Sequence, residues 1–238
     1  MPQAEHLKHY SSIFDTTEVN STFYNIPGER MAQKWHDSTP DNFVFTAKIP
    51  KSITHEGRLK PGPYLDQFLR AVRPLGGKLQ TVVIQLPPSL SYSEAKDRLE
   101  KMLDHLPDSY RYALEARHQS WFDGEVFDYL QKRNVCLVWN EVEGVENPAP
   151  VTSDFVYLRL IGDRSIDESQ FGKILKDRTA EMEKWKSRLL GANVRTAIAM
   201  INNHFAGFAP GTANQFRKLL GLSQLSFVDK KQMTFDLK

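Results

Sequence analysis

The sequence predicts an α/β fold in which strands and helices alternate and close as a TIM-like (β/α) barrel, with seven strands visible. Three observations carry this. Short β-branched or aromatic runs recur seven times, segments with helical apolar spacing lie between them, and the 238-residue chain is close to the roughly 250 residues typical of eight βα units. Strand followed by helix at steps of roughly thirty residues is the pattern of right-handed βαβ crossovers, and it demands a mostly parallel sheet. Near-continuous apolar strands such as Val82-Val83-Ile84 agree, because strands of parallel sheets are covered on both faces.

The elements follow in order. A helical stretch with Leu7, Tyr10, Ile13 and Phe14 opens the chain. Strands are expected over Thr16–Asn20, Phe43–Lys48, Thr81–Leu86, Arg111–Ala116, Val135–Asn140, Phe155–Ile161 and Arg195–Asn202. The helices between them show as Met31, Ala32 and Trp35; Leu65, Phe68, Leu69 and Val72; Leu99, Met102, Leu103 and Leu106; Val126, Phe127 and Leu130; Trp185 and Leu189; and Phe216, Leu219 and Leu220. Gly76–Gly77, Gly191 and Gly221 stand where helices end in left-handed residues, and Ser93 and Asp123 where N-caps belong. Pro148–Ala149–Pro150 reads as a loop, since strands of one type lie on both sides. Residues 1–238 are therefore expected to form a single incomplete (β/α)8-type barrel domain. Its strands should run in chain order, with a break between the first and the last.

Composition narrows the function classes. With 31 basic and 29 acidic residues the formal net charge is +2, too even for a chain whose main task is coating DNA or an anionic membrane. Any basic site must be local. Cys136 is the only cysteine, which excludes an intrachain disulfide and a thiolate metal cage and fits a reducing, cytoplasmic setting. The longest apolar stretches, Thr81–Leu86 and Val135–Trp139, fall far short of a bilayer span, so no membrane partner is expected. The chain has no Gly-x-Gly-x-x-Gly, Walker A, His-Glu-x-x-His or Gly-x-Ser-x-Gly pattern, and no cofactor is assigned.

The runs Phe14-Asp-Thr-Thr-Glu-Val-Asn-Ser-Thr-Phe-Tyr24, Phe43-Val-Phe-Thr-Ala-Lys-Ile-Pro50 and Ile53-Thr-His55 resemble the DUF72 or YecE-like family. Further blocks follow in the family's order: Gln85-Leu-Pro-Pro-Ser89, Glu115-Ala-Arg-His-Gln-Ser-Trp-Phe122, Tyr157-Leu-Arg159 and Asn202-Asn-His-Phe-Ala-Gly-Phe-Ala-Pro210. The resemblance covers roughly residues 5 to 221 and implies a (β/α)8-like barrel in a family without an established activity. Members usually begin with a strand carrying a Gly-Thr-Ser-Gly-aromatic pattern, and nothing of that kind precedes His6, so the family's usual first strand is missing. Many members also carry a histidine shortly after the arginine matching Arg159, where this chain has Ile161 and then Gly162-Asp163-Arg164. No imidazole role carries over to that place.

In barrels of this kind functional groups sit at the carboxyl ends of the strands. Those ends supply Glu18 and Asn20, Lys48, Gln85, Glu115 with Arg117 and His118, Glu141, Arg159, and Asn202 with Asn203. Strand parity puts Glu18 with Asn20, and Glu115 with Arg117, on one side of their strands. Glu115 beside His118 reads as an acid/base pair, because a carboxylate in a partly dry cleft can be moved toward neutrality; a salt bridge to Arg117 or Lys48 is the structural alternative. Lys48 is either a phosphate-contacting ammonium or an amine nucleophile, and the latter requires a depressed pKa. Arg117, Arg159 and Lys48, with His55, Arg58 and Lys60 in the following loop, would gather cations on one rim for an anionic ligand, although Arg58 and Lys60 read equally well as solvated charges. Asn202 and Asn203 either hold ligand oxygens or cap backbone where the strand stops. Trp121 and Phe122 form a stacking wall or belong to the core. The polar segment 163–177 is a lid or a surface loop. No metal ligands are assigned: Glu18, Glu115, Glu141 and His118 could hold a divalent ion only against the surrounding Lys and Arg.

These readings converge on a cytoplasmic barrel protein that binds, and acts on, a small phosphate- or carboxylate-bearing substrate by metal-free acid/base chemistry. Glu115 and His118 would be catalytic, with Glu18, Asn20, Lys48, Gln85, Arg117, Arg159, Asn202 and Asn203 holding the substrate. The alternative is a non-catalytic or repair-associated nucleic-acid binder in which Trp121 and Phe122 stack on bases, a class marked by steep salt dependence. An open barrel edge would favour self-association.

Overall fold

The computed structural model describes residues 3–60 and 62–227. Helix α1 (Gln3–Ser11) leans Leu7 and Tyr10 on the core, and the Tyr10 hydroxyl donates to the Thr16 carbonyl at 3.1 Å. Strands β1 (Thr16–Val19), β2 (Val44–Lys48), β3 (Leu79–Gln85), β4 (Arg111–Glu115) and β5 (Val135–Leu137) pair in chain order, and β6 (Trp139–Asn140), β7 (Phe155–Leu160) and β8 (Thr196–Ile201) continue it. Every pairing is parallel. Helices α2 (Ser21–Tyr24), α3 (Glu29–Asp37), α4 (Pro63–Val72), α5 (Tyr92–His105), α6 (Gly124–Lys132), α7 (Thr179–Gly191), α8 (Asn203–Ala206) and α9 (Ala209–Leu219) fill the crossovers and the end of the chain.

The single run expected over Val135–Asn140 is divided at Val138, whose N–H donates to the Leu114 carbonyl at 2.9 Å. The cause is a change of neighbour. Ahead of Val138, one edge of the strand is filled by the buried Thr152 hydroxyl, which accepts from the Leu137 N–H at 2.7 Å and donates to the Val135 carbonyl at 2.8 Å. Pairing to β7 begins only at Trp139, opposite Leu158, with Asn140 opposite Arg159.

Side chains alternate across this curved sheet as strand geometry requires. One parity turns inward and packs Val83, Ala113, Cys136, Val138, Tyr157 and Ile198 into a cluster of its own. The other parity meets the helices: Val82, Ile84 and Leu114 against Leu65, Phe68 and Leu99, then Trp139, Val156 and Leu158 against Met182, Trp185 and Phe216. Each large apolar side chain fully buried this way contributes roughly 1.5–3 kcal/mol. Burial also pushes the Cys136 thiol up to about 12, leaving it inert packing.

Among the described residues β1 and β8 are not paired with each other. All of β1 is only half-buried, and in β8 Ile198 alone is fully buried. Exposure therefore concentrates at the break expected between first and last strands. No helix is long and apolar enough to cross a membrane.

Three helix ends differ from expectation. Ser91, not Ser93, caps α5 by accepting from the Glu94 N–H at 3.4 Å, because Ser91 is extended as a cap must be while Ser93 already lies in the first turn. Gly191 is not left-handed; extended Ala192 ends that helix. Gly76 has φ of +54° but ψ of −138°, outside the left-handed helical region, whereas Asp123 caps α6 and Gly221 has φ of +72°, as expected. At the amino-terminal ends of the strands lies a cleft of about 840 Å³ in which Arg111 pairs with Asp154 and Arg133 with Asp104. That end of a barrel serves stability.

Candidate functional site

At the opposite, carboxyl end the inward parity delivers charged groups. Glu18 near the end of β1, Lys48 at the end of β2, Gln85 at the end of β3, Glu115 at the end of β4 and Arg159 on β7 converge, joined by Arg117 just past β4. Arg159 is the hub. Its Nη1 donates to both Glu18 oxygens at 2.7 and 3.0 Å and sits 3.2 Å from Glu115 Oε2. Lys48 Nζ lies 3.2 Å from Glu18 Oε1. Arg117 donates Nε and Nη2 to Glu115 Oε1 at 3.1 and 2.7 Å, and Gln85 donates to Glu115 Oε2 at 2.6 Å.

Exposure separates floor from rim. The Glu115, Glu18, Lys48 and Arg159 side chains are 0%, 5%, 8% and 11% exposed, whereas Arg117 is 27% exposed. Burial works to raise the Glu115 carboxyl, but the charges of Arg159, Arg117 and Lys48 outweigh it and hold the group below its ordinary value. Glu115 is therefore ionised, the reverse of the shift toward neutrality expected for an acid. Arg159 is pushed above its ordinary value despite burial, by Glu115 and Glu18. Burial draws the Lys48 ammonium down; Glu18 opposes this and Arg159 reinforces it.

Two residues outside the expected set belong here, and a third, expected as a rim cation, joins them as a neutral ring. Tyr157 donates its hydroxyl to Glu18 Oε2 at 2.7 Å and lies 2.9 Å from the Thr46 hydroxyl. Asn140 is buried on the inward parity of the fifth run, in step with Cys136 and Val138, and that alternation is the signal that singles it out over its neighbour Glu141. Asn147 donates to the Val138 carbonyl and to Asn140 Oδ1 at 3.0 and 3.2 Å, and Asn140 Nδ2 stays buried without a partner among the described residues. Its register partner Arg159 likewise has a buried, unpartnered Nε. Each orphaned buried donor costs about 1–3 kcal/mol until an acceptor meets it. The third is His55, in the π-helical turn Ser52–Glu56, with Nδ1 2.9 Å from the Thr54 hydroxyl and its ring edge-on to Phe23. Burial lowers its pKa, as does Arg117; Glu115 and Glu56 oppose, and Lys51 adds to the lowering. The ring is neutral near pH 7.

Other expected members lie elsewhere. His118 is not Glu115's proton partner: its Nδ1 accepts from the Ser120 N–H at 3.2 Å, capping the short turn Gln119–Trp121. Asn20 shares Glu18's parity only on paper, because the chain turns helical at Asn20 and the side chain is exposed. Asn202 Oδ1 accepts from the His204 N–H at 2.9 Å and Asn203 Oδ1 from the Ala209 N–H at 2.8 Å, so both amides cap backbone. Glu141 faces Lys184 at 3.7 Å. Arg58 is held by Glu94 and Ser89. Trp121 is fully buried and donates Nε1 to the Leu90 carbonyl at 2.8 Å, so it offers no face to a base. Segment 163–177 is laced to α8, with the Leu175 N–H donating to the Ala206 carbonyl at 2.7 Å and Arg178 bridging to Asp163.

A family model described as "Protein of unknown function DUF72" matches residues 1–234. The chain belongs to the DUF72 family. Among curated relatives, the UPF0759 protein YecE of Escherichia coli is 31% identical over 117 residues, which is 49% of this DUF72 chain and 43% of that protein, so the match spans less than half of YecE. The UPF0759 protein YunF of Bacillus subtilis is 23% identical over 91% of the chain and 86% of its own length. Crystal structures of DUF72 family proteins from Enterococcus faecalis and Thermotoga maritima superpose with TM-scores of 0.76 each, at 21% and 27% identity, covering 92% and 93% of this chain and 95% and 91% of theirs. The parallel α/β architecture is thus that of the DUF72 barrels.

Proposed function

We propose that this DUF72 protein binds a small carboxylate- or phosphate-bearing molecule at the carboxyl-end mouth of its strands and acts on it by metal-free acid/base chemistry. The supporting observation is a charge count: among the described residues Lys48, Arg117 and Arg159 pair with Glu18 and Glu115 alone, so three cations meet two carboxylates and one positive charge is in excess. In a partly dry mouth such a charge draws an anion far more strongly than it would in water. Arg117 is the point of entry, because Glu115 holds its Nε and Nη2 and leaves Nη1 for a ligand. The same excess of cations opposes a divalent metal. Neutral His55 takes the role of proton acceptor that the sequence suggested for His118, and Glu115 orients the arginines.

The test is thermal unfolding with added inorganic phosphate. Binding to the folded state alone stabilises by mass action, about 2.7 kcal/mol at a hundredfold excess over Kd. Phosphate should raise the wild-type Tm, and Arg117→Ala should lose most of the gain. Equal shifts in both proteins would remove Arg117 from the site and sink the reading.

A further inference from the structure

We propose that Lys48 is a nucleophilic amine that condenses with the carbonyl carbon of a 2-oxo carboxylate whose acid group meets the guanidinium pair Arg159 and Arg117. This rests on the anion-binding reading of the same mouth and names its substrate class. Lys48 closes β2, and its backbone is pinned where it stands: the buried Thr22 hydroxyl contacts both the Lys48 and the Val19 carbonyls at 2.8 Å, locking the strand end to the β1–α2 turn. The side chain then runs inward to Glu18, its single ion-pair partner among the described residues, with Nζ 5.9 Å from the centre of the Phe23 ring. An ammonium has three N–H donors and is strongly hydrated. Here an aromatic face and one carboxylate oxygen replace much of that water, and burial draws the group toward the free amine, the form that attacks carbonyls.

The spacing fits a two-part substrate. Glu18 Oε1 lies 3.2 Å from Lys48 Nζ and 3.0 Å from Arg159 Nη1, so one carboxylate oxygen separates the amine from Arg159, which shares Glu115 with Arg117. A molecule with its carbonyl adjacent to its carboxylate spans such a gap, whereas phosphate offers no electrophilic carbon to the amine. The step balances without an added reagent. Lys48 gives one proton to Glu18, its lone pair forms the N–C bond, and the carbonyl π pair moves to oxygen, which takes one proton from that nitrogen and a second back from Glu18. Departure of that oxygen as water forms C=N, so one ammonium and one carbonyl become one protonated imine and one water.

Pyruvate with sodium cyanoborohydride, which reduces a protonated imine to a stable secondary amine, tests this on the intact protein, read by peptide mass mapping. Lys48 should carry the reduced adduct at several times the extent seen at the exposed Lys51 and Lys96, which serve as internal comparators. Arg117→Ala should lower labelling of Lys48 several-fold at subsaturating pyruvate while leaving Lys51 and Lys96 unchanged. Labelling at Lys48 no greater than at those two, in protein that phosphate still stabilises through Arg117, overturns the amine and leaves the anion site standing. Strong Lys48 labelling that is indifferent to Arg117→Ala overturns the carboxylate-holding half. Because the wild type carries the main measurement, the result does not depend on a variant folding.

Discussion

At Glu115 two effects oppose each other: burial, which penalises a carboxylate, and three neighbouring cations, which favour it. The cations win, and the consequence is structural. Removing the charge while keeping the shape, in Glu115→Gln, leaves Arg159 and Arg117 facing an amide, and losing one partner of a buried pair costs about 3–5 kcal/mol. Urea unfolding near neutral pH should show a loss of that order; a loss under about 1 kcal/mol would mean the arginines find another counter-charge. The pH dependence has a definite sign. Because the folded carboxyl sits below its unfolded value, its contribution is complete above the unfolded range and disappears as pH falls through the folded value. Wild-type stability should therefore decline on acidification below about pH 5 more steeply than that of the variant. Parity and strand ends are enough to select Glu18, Lys48, Gln85, Glu115 and Arg159 from the sequence. They mislead at His118 because nearness in sequence is not nearness in space: three residues past Glu115 the chain has left the strand and begun a turn of its own.

Thr152 carries the same lesson at the scale of the element. Its β-branched, polar side chain sits in a loop after Pro150, yet its hydroxyl substitutes for a strand neighbour by serving both Leu137 and Val135. Thr152→Val keeps the shape and orphans a buried backbone donor and acceptor, at about 1–3 kcal/mol each. Chemical denaturation should register a loss of that size, and amide exchange at Leu137 should accelerate; a neutral substitution would mean water takes the hydroxyl's place. A continuous apolar run such as Val135–Asn140 cannot announce this division, because every residue in it is equally suited to a strand. The strands that read clearly are those with unbroken partners, β3 and β4, each paired along both edges.

For the whole molecule, the unpaired sides of β1 and β8 are the weak boundary. Edge amides lack a ladder partner and exchange through small openings. Exchange should therefore be fastest among the strands in 16–19 and 196–201 and slowest in 79–85 and 111–115; uniform protection would mean that something pairs with the two edges in solution. Open edges also promote association, so sedimentation velocity over a concentration series should show a growing larger species, and a single monomeric boundary throughout would show the edges to be blunted. The sequence alone determined the order of the elements, their parallel alignment and the face that side chains within the strands occupy, because period-2 alternation and helical spacing are properties of the local backbone. Which strand-end groups meet was decided only by the tertiary structure. Arg159 reaches Glu18 across 141 positions of chain because the sheet curves far enough to bring β7 opposite β1. Whether a carboxylate there is raised or lowered then follows from distances of about 3 Å, since Coulomb energies scale inversely with separation and local dielectric, and neither quantity is written in the order of the residues.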